Sequence, residues 1–312
     1  MKIRKSKVLV LSLLMLVSLV GCDKDGKTSS SVSSQETSQQ ATSIVDPSAL
    51  PGLGDITDPS KDNYKGTYYN GKGLDNLEGD ALVKGLFNHI KNHADKGYKG
   101  LWSGYKLTDI KPGTKDKIWD MYSNCNYTFG TNQDRGSGGN SEGSCYNREH
   151  TIPQSWFEGA KSKKDIIKAD IVHVVPTDKY VNKQRGNHPH GEVTQKIETF
   201  KNGSLLGYDS DGITVFEPID EYKGDFARIY FYMATCYNDV LGQFAQSDDV
   251  FQTSYQYLTP KYLNMYVTWA INDPVSQKEI DRNNGIQKHQ GNRNPYVDHP
   301  SYFYKAFVKG NF

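Results

Sequence analysis

The chain has 312 residues, with 37 Lys and Arg against 36 Asp and Glu. Its first 21 residues hold four of the basic residues and none of the acidic ones, so the remainder carries a slight net negative charge. This balance excludes a protein that binds nucleic acid through its overall charge, and any attraction for phosphate must come from local clusters.

The first 21 residues have the pattern of an export signal. Four basic residues precede an apolar run over residues 8–20, which is too short to span a bilayer comfortably. The run ends in Leu-Val-Gly-Cys22, which resembles the lipobox of bacterial lipoproteins. We predict a lipoprotein signal peptide over residues 1–21 with lipid attached to Cys22. An ordinary secretory signal with an incidental cysteine is the alternative.

Residues 22–58 and 59–312 differ in composition. Between Thr28 and Ser43 almost every residue is Ser, Thr, Gln or Ala, and such a segment has too little apolar surface to offset the entropy lost on ordering. We expect residues 22–58 to be a disordered tether that holds the protein away from a membrane. Residues 59–312 are long enough for one catalytic domain with a full core.

The pattern of residues 59–312 mixes strands with helices. Apolar residues at helical spacing predict helices at 80–93, 225–238, 259–271 and 279–287. Shorter apolar runs predict strands at 107–110 and 212–218, an extended run at 117–122, and a strand or irregular segment at 194–200. The mixture predicts an α+β fold whose C-terminal half is largely helical.

The residues with catalytic chemistry fall in two segments. Glu149 and His150 are adjacent, and Asn182 follows in a run over 176–186 that is compatible with a helix capped by Thr177. A neutral histidine can take a proton from water near neutral pH, and Mg²⁺ prefers oxygen ligands and retains several waters. We assign His150 as general base for hydrolysis of a phosphodiester. Glu149 and Asn182 are assigned as ligands of one Mg²⁺, with Mn²⁺ or Ca²⁺ as alternatives.

Two geometric consequences follow from these assignments. Adjacent side chains on a regular strand point to opposite faces, so Glu149 and His150 can share one site only at a strand end or bend. On the predicted helix, Asp178 and Arg185 lie on the face of Asn182. We expect Arg185 to reach the substrate phosphate, and Asp178 either to orient the waters of the metal or to stabilise the first turn.

The cysteines suit an exported protein. Cys125 and Cys145 bracket a loop rich in Gly, Asn and Ser, and in an oxidising compartment they could form a disulfide. Such a bond would add roughly 3 kcal/mol of stability in the chain-entropy model. Cys236 lies in an apolar helical pattern and is interpreted as a buried hydrophobic residue.

Three motifs in order resemble the bacterial endonuclease I family: Asn147-Arg-Glu-His150, the segment from Asp170 to Asn187, and Gln290 to Asp298. The resemblance runs from about residue 75 to 303. It implies a ββα-metal (His-Me finger) site that cleaves DNA, often RNA too, with little sequence preference and with Mg²⁺.

By position, the roles of the family fall on Glu149 and Asn182 as metal ligands and on His150 as base. The phosphate-binding arginine of some members lies in an insertion that this chain lacks, so we give that role to Arg148 or Arg185. Asp170 and His173 are interpreted as supporting residues, with His173 buried and hydrogen-bonded. Many members have two adjacent histidines where this chain has Val172-His173.

Other polar motifs have two interpretations each. Lysines 161, 163, 164 and 168 could attract phosphate or form a solvated face, and two further basic clusters surround Lys183 and Arg282. His188 and His190 could bind a transition metal, but a surface loop is the favoured interpretation. The stretch 292–298 could touch DNA, but a structural turn is favoured.

The sequence therefore predicts an exported, monomeric, metal-dependent endonuclease of low sequence specificity. We expect it to be lipid-anchored to the outer face of a bacterial membrane or released outside the cell, with DNA and also RNA as substrate. A non-catalytic lipoprotein binding module on the same fold is the alternative from another class. A metal-dependent phosphodiesterase for smaller substrates is a third hypothesis.

Overall fold

The computed structural model describes residue 56, residues 58–245 and residues 249–309. The predicted signal peptide over 1–21, the predicted lipid site Cys22 and nearly all of the predicted tether over 22–58 lie outside the described residues. The described part of the proposed domain begins at Pro59.

The strands form two small antiparallel sheets. In the first, β1 (Tyr146–His150) pairs with β2 (Val174–Asp178), and Glu149 lies opposite Val175. In the second, the order is β3 (Gln195–Thr199), β4 (Leu205–Tyr208) and β5 (Thr214–Glu217). Every residue of β2 is buried, so the first sheet is anchored in the protein along its second strand.

The rest of the regular structure is mostly helical. They are α1 (Gly79–Ile90), α2 (Gly97–Thr108), α3 (Lys164–Ala169), α4 (Lys179–Arg185), α5 (Asp220–Cys236), α6 (Pro260–Asn272), α7 (Gln277–Gln290), α8 (Pro295–Asp298) and α9 (Ser301–Phe303), and a π-helical turn follows over Tyr304–Val308. The fold is α+β, with long helices in the C-terminal half.

Helix α5 is the centre of the hydrophobic core. All its residues from Gly224 to Cys236 are buried, which is the pattern of a helix surrounded by protein on every side. It packs against α6 and α1 and against β-sheet residues such as Phe216. Its one buried guanidinium, on Arg228, forms an ion pair with Glu279 of α7, and this pairing offsets the cost of burying each charge.

Helices α2 and α7 approach each other closely at glycine residues. A Cβ atom on Gly285 would lie 2.2 Å from the carbonyl oxygen of Leu107, and one on Gly104 would lie 2.4 Å from Ile171 Cδ1. A side chain at position 285 would therefore force the two helix backbones apart, whereas one at position 104 would meet the side chain of Ile171. This contact holds α2, and with it Tyr98 and Trp102, against the rest of the protein.

Most predicted elements are confirmed, with shifted ends. The helices predicted at 80–93, 225–238, 259–271 and 279–287 correspond to α1, α5, α6 and α7, and the strand predicted at 212–218 corresponds to β5. Of the two alternatives for 194–200, a strand or an irregular segment, the structure shows the strand β3. The strand predicted at 107–110 is wrong, because Leu107 and Thr108 end helix α2. The helix predicted over 176–186 starts late, because residues 176–178 belong to β2.

Among the described residues, we find no helix with the length and apolar character needed to cross a membrane.

Candidate active site

The end of β1 brings the predicted residues to one cleft. The strand stops at His150, and the next backbone amide, of Thr151, donates to the carbonyl oxygen of His173 at 2.9 Å. Because the strand ends there, side chains that leave it on opposite faces can border the same cleft. The cleft is lined by Tyr98, Asn147, Arg148, Glu149, His150, Pro153, Gln154, Ser155, Asn182, Gly186 and Asn187.

His150 presents one ring nitrogen to the cleft. Its Nε2 lies 3.1 Å from the carbonyl oxygen of Lys168, which can only accept, so Nε2 carries the hydrogen. The lone pair is therefore on Nδ1, which lies 3.4 Å from the side-chain amide of Gln154. Burial, followed by the neighbouring His173, lowers the pKa of His150 well below its ordinary value. The imidazole is thus neutral at neutral pH, as a general base must be.

Glu149 is buried beside the cleft and held by two donors. Arg185 Nη1 donates to its Oε1 at 2.6 Å, and the Tyr122 hydroxyl donates to the same oxygen at 2.9 Å. Burial raises the pKa of the Glu149 carboxyl, although Arg185 and Tyr122 oppose that rise. Both side-chain donors use Oε1.

Asn182, on α4, faces β1 from the other side of the cleft. Its Nδ2 donates to the carbonyl oxygen of Arg148 at 3.3 Å. This bond orients the amide so that its carbonyl oxygen Oδ1 points away from the strand backbone. A carboxylate oxygen and an amide oxygen therefore border the same space, next to the basic nitrogen of His150.

The predicted contact of Arg185 with a substrate phosphate is wrong. Its side chain is 1 % exposed, and all three guanidinium nitrogens donate to protein oxygens. Besides Glu149, the acceptors are the backbone carbonyls of His150, Thr151 and His188, at 2.8, 2.7 and 2.7 Å. Arg185 therefore fastens α4 to the end of β1 and orients Glu149.

Arg148 is the arginine at the cleft. Its guanidinium carbon lies 3.5 Å from the ring centroid of Tyr98 and 4.5 Å from that of Trp102, and Nη1 donates to the Tyr98 carbonyl at 2.8 Å. The half-buried side chain is thus held by aromatic rings and one backbone carbonyl. This geometry suits a cation that meets a phosphate at the cleft.

Asp178 directly precedes helix α4 and is the residue that caps it. Its Oδ1 accepts from the backbone amides of Tyr180 and Val181, at 2.7 and 3.0 Å. Its other oxygen accepts from the Tyr127 hydroxyl and the Gly143 amide. The predicted cap at Thr177 is therefore wrong. Of the two expectations for Asp178, the structure shows the first-turn role, because the side chain is fully buried in these bonds.

His173 and Asp170 lie behind the site. His173 is fully buried, with Nε2 at 2.7 Å from the Ile167 carbonyl and its ring centroid 5.5 Å from that of His150. Asp170 accepts from Tyr232, Tyr237, Gln290 and the amide of Val172, at 2.7 to 2.9 Å.

Asp170 also lies near two further ligand-type side chains, His93 and Cys236. Burial raises the pKa of the Cys236 thiol, which favours the protonated form rather than the thiolate that binds metals. Both oxygens of Asp170 already accept hydrogen bonds from protein groups. The cluster is therefore a buried hydrogen-bond network that fixes the segment between α3 and β2.

The sequence did not reveal the roles of Tyr122 and His190. The Tyr122 hydroxyl, which donates to Glu149, also lies 2.7 Å from His190 Nε2. His190 is fully buried and stacks on Phe226, so the favoured interpretation as part of a surface loop is wrong for this residue. No local pattern marks either residue, because both reach Glu149 through tertiary packing.

The remaining motifs take structural places. Cys125 and Cys145 are free, so the predicted disulfide is not formed; their sulfurs lie beside different loop glycines, Gly143 and Gly138. In the stretch 292–298, Arg293 forms a buried ion pair with Asp298 at 2.6 Å, and Asn292 and Asn294 are buried. This stretch is the structural turn that the sequence favoured.

Comparison with known proteins adds an independent finding. The model of the family described as Endonuclease I matches residues 79–301, a span that includes every residue of the cleft. The chain belongs to the endonuclease I family. Membership in this family makes it a nuclease with a ββα-metal fold, in which β1, β2 and α4 supply the two strands and the helix.

Individual relatives of the family align over most of the chain. The extracellular ribonuclease of Bacillus subtilis (strain 168) is 32% identical over 76% of this chain and 76% of its own length. That of Bacillus amyloliquefaciens is 32% identical over 79% of each chain. Endonuclease-1 of Buchnera aphidicola subsp. Acyrthosiphon pisum is 24% identical over 59% of this chain and 68% of its own.

Proposed function

We propose that this protein is an exported, metal-dependent endonuclease that hydrolyses phosphodiester bonds of DNA, and of RNA as well, with little sequence preference. The observation that carries the proposal is the convergence of Glu149, His150 and Asn182 on one cleft. His150 is the general base, Glu149 and Asn182 are the metal ligands, and Arg148 contacts a substrate phosphate.

The donor set of the cleft fits Mg²⁺. Glu149 Oε2 and Asn182 Oδ1 are hard oxygen donors of the kind that Mg²⁺ prefers, and these two residues would hold the ion. Mn²⁺ and Ca²⁺ accept the same donors and are the alternatives. When bound, the ion supplies positive charge against the charge that develops on the phosphate oxygens and the leaving oxygen.

The protein's own residues supply the remaining chemistry. His150 Nδ1 accepts a proton from water as the water oxygen forms a bond to phosphorus and the bond to the leaving oxygen breaks. The Lys168 carbonyl, bound to Nε2–H, stabilises the resulting imidazolium and keeps the ring oriented. Arg148 binds a non-bridging phosphate oxygen. Because these groups address the phosphate rather than a base, the reaction should tolerate any sequence.

Substrate and location are supported by the relatives. Two of them are named extracellular ribonucleases, which supports RNA as a substrate and a position outside the cytoplasm for this chain. The lipobox-like sequence ending at Cys22 supports attachment to the outer face of a membrane. We propose that the protein acts as a monomer.

The proposal is tested by incubating the protein with supercoiled plasmid, with a single-stranded RNA and with a small synthetic diester, each with Mg²⁺ and with EDTA. The expected result is nicking and smearing of plasmid and shortening of RNA in Mg²⁺ alone. No change in any substrate would support the non-catalytic binding module instead. Turnover of the small diester alone would indicate a phosphodiesterase for smaller substrates.

A further inference from the structure

Three lysines of the cluster near α3 differ in their partners. Lys163 forms an ion pair with Asp239 at 2.7 Å, and Lys164 forms one with Glu158 at 3.3 Å. Lys168, in the last turn of α3, has no carboxylate within ion-pair distance in the described part of the chain. Its Nζ instead lies 4.5 Å from the ring centroid of Tyr98. Lys168 therefore carries a charge that no acidic side chain of this part neutralises.

Tyr98 holds two cations at the edge of the cleft. The same ring supports the guanidinium of Arg148, at 3.5 Å, which likewise has no carboxylate partner among the described residues. Two like charges held on one ring repel each other, and the repulsion is relieved when an anion binds between or beside them. An aromatic surface also limits the conformations of both long side chains, so less entropy is lost when they bind a ligand.

Lys168 is fixed relative to the base as well. Its backbone carbonyl accepts the hydrogen bond from His150 Nε2, at 3.1 Å. The ring centroid of Tyr98 lies 5.7 Å from that of His150. The pair of cations therefore flanks the reacting centre.

We propose that Lys168, on the ring it shares with Arg148, binds a backbone phosphate of the nucleic acid next to the phosphate being cut. This rests on the proposed nuclease function and adds a subsite to it. Since the ligand is a phosphate, the contact adds affinity for any sequence and selects polynucleotide chains over isolated diesters. It also makes binding depend on salt, because each neutralised phosphate releases counterions.

The test is the salt dependence of binding. A fluorescein-labelled oligothymidine is titrated with protein in EDTA, which prevents cleavage, and the affinity is measured by anisotropy at KCl concentrations from about 50 to 200 mM. The slope of log affinity against log salt should become shallower by about 0.7 in Lys168→Gln, the value for one phosphate contact on a single strand. Lys168→Arg keeps the charge and should keep the slope.

Lys164→Gln is the matched control, because Lys164 lies on the same helix and pairs with Glu158. It should bind with the slope of the parent protein. A Lys168→Gln variant with the parent slope, and with a melting temperature that shows it is folded, would overturn the subsite while leaving the nuclease proposal intact. A parent protein that bound no oligonucleotide at any salt concentration would overturn both.

Discussion

At the scale of single residues, the site depends on how Glu149 is held. Arg185 and Tyr122 both donate to Oε1, and Tyr122 in turn contacts His190, whose other ring nitrogen lies 3.1 Å from the Tyr230 hydroxyl. Such a chain of buried hydrogen bonds fixes the carboxylate, which in the proposed function is a ligand of the metal. Partners of this kind typically change metal affinity 10- to 100-fold.

Tyr122→Phe should therefore weaken metal binding. The ring and its packing on Phe216 and Phe226 remain, but the hydrogen bond to Glu149 is lost. We expect the dissociation constant for Mn²⁺, measured by electron paramagnetic resonance without nucleic acid, to rise about 10-fold or more. Tyr237→Phe is the control, since this buried tyrosine donates to Asp170 instead and should keep the parent affinity. Equal affinities for parent and Tyr122→Phe would refute the role.

Residue types alone predicted the three central side chains but not the place of Arg185. A carboxylate, an imidazole and an amide have recognisable chemistry, and their order along the chain matched a known family. Spacing along the helix also predicts which residues lie on the same side as Asn182. Whether that side faces solvent or the end of β1 depends on tertiary packing, and Arg185 lies in the interior.

At the scale of elements, the site rests on the junction of β2 and α4. Asp178 ends the strand and caps the helix, and its own amide donates to Asp120 Oδ2 at 3.0 Å. Burial raises the pKa of Asp120 from 3.8 to about 7, against hydrogen bonds from Ser123 and from the Tyr122 amide that lower it. This carboxyl group thus titrates near neutral pH at the start of the helix that carries Asn182.

The raised pKa of Asp120 predicts a pH-dependent stability. Since the folded-state pKa lies above the unfolded one, the contribution of this group is present below pH 3.8 and is lost as the pH rises through about 7. Between these two pH values, the contribution of Asp120 to the free energy of unfolding falls by at most about 1.4 kcal/mol per pH unit. Urea unfolding should show that Asp120→Asn becomes more stable relative to the parent protein as the pH rises.

Ser123→Ala tests whether the pH dependence comes from the carboxyl group of Asp120 or from its hydrogen bond with Ser123. It removes a donor to Asp120 but leaves the titrating group, so the parent's slope should persist. If the stability curves of the parent and of Asp120→Asn ran parallel between pH 4 and pH 7.5, the raised pKa would be refuted.

Elements with strong periodicity were predictable, and α2 was not. Its glycines have low helix propensity, which hides the helical pattern. One of those glycines, Gly104, faces α7, where an added Cβ atom would lie 3.1 Å from His289 Cε1. The cap of α4 was misplaced by one residue, because the helix pattern does not show where β2 ends.

At the scale of the whole molecule, the large helical part of the fold supports a small catalytic unit. Helix α5 and its neighbours form most of the core, whereas the cleft is lined by β1 and the turn after it, by α4 and the residues that follow it, and by the start of α2. The family could be recognised from the sequence because the residues of that unit lie in short ordered motifs. Tyr122 and His190, which support Glu149, come from distant segments of the chain and could be found only from the structure.

The most direct test of the account is the rate of plasmid nicking by His150→Ala at saturating Mg²⁺, beside the parent protein. We predict a fall of about 10²- to 10⁴-fold, because the proton of the attacking water loses its acceptor. Mn²⁺ binding should survive, since Glu149 and Asn182 are unchanged. A His150→Ala variant that nicked plasmid at the parent rate would contradict the central claim.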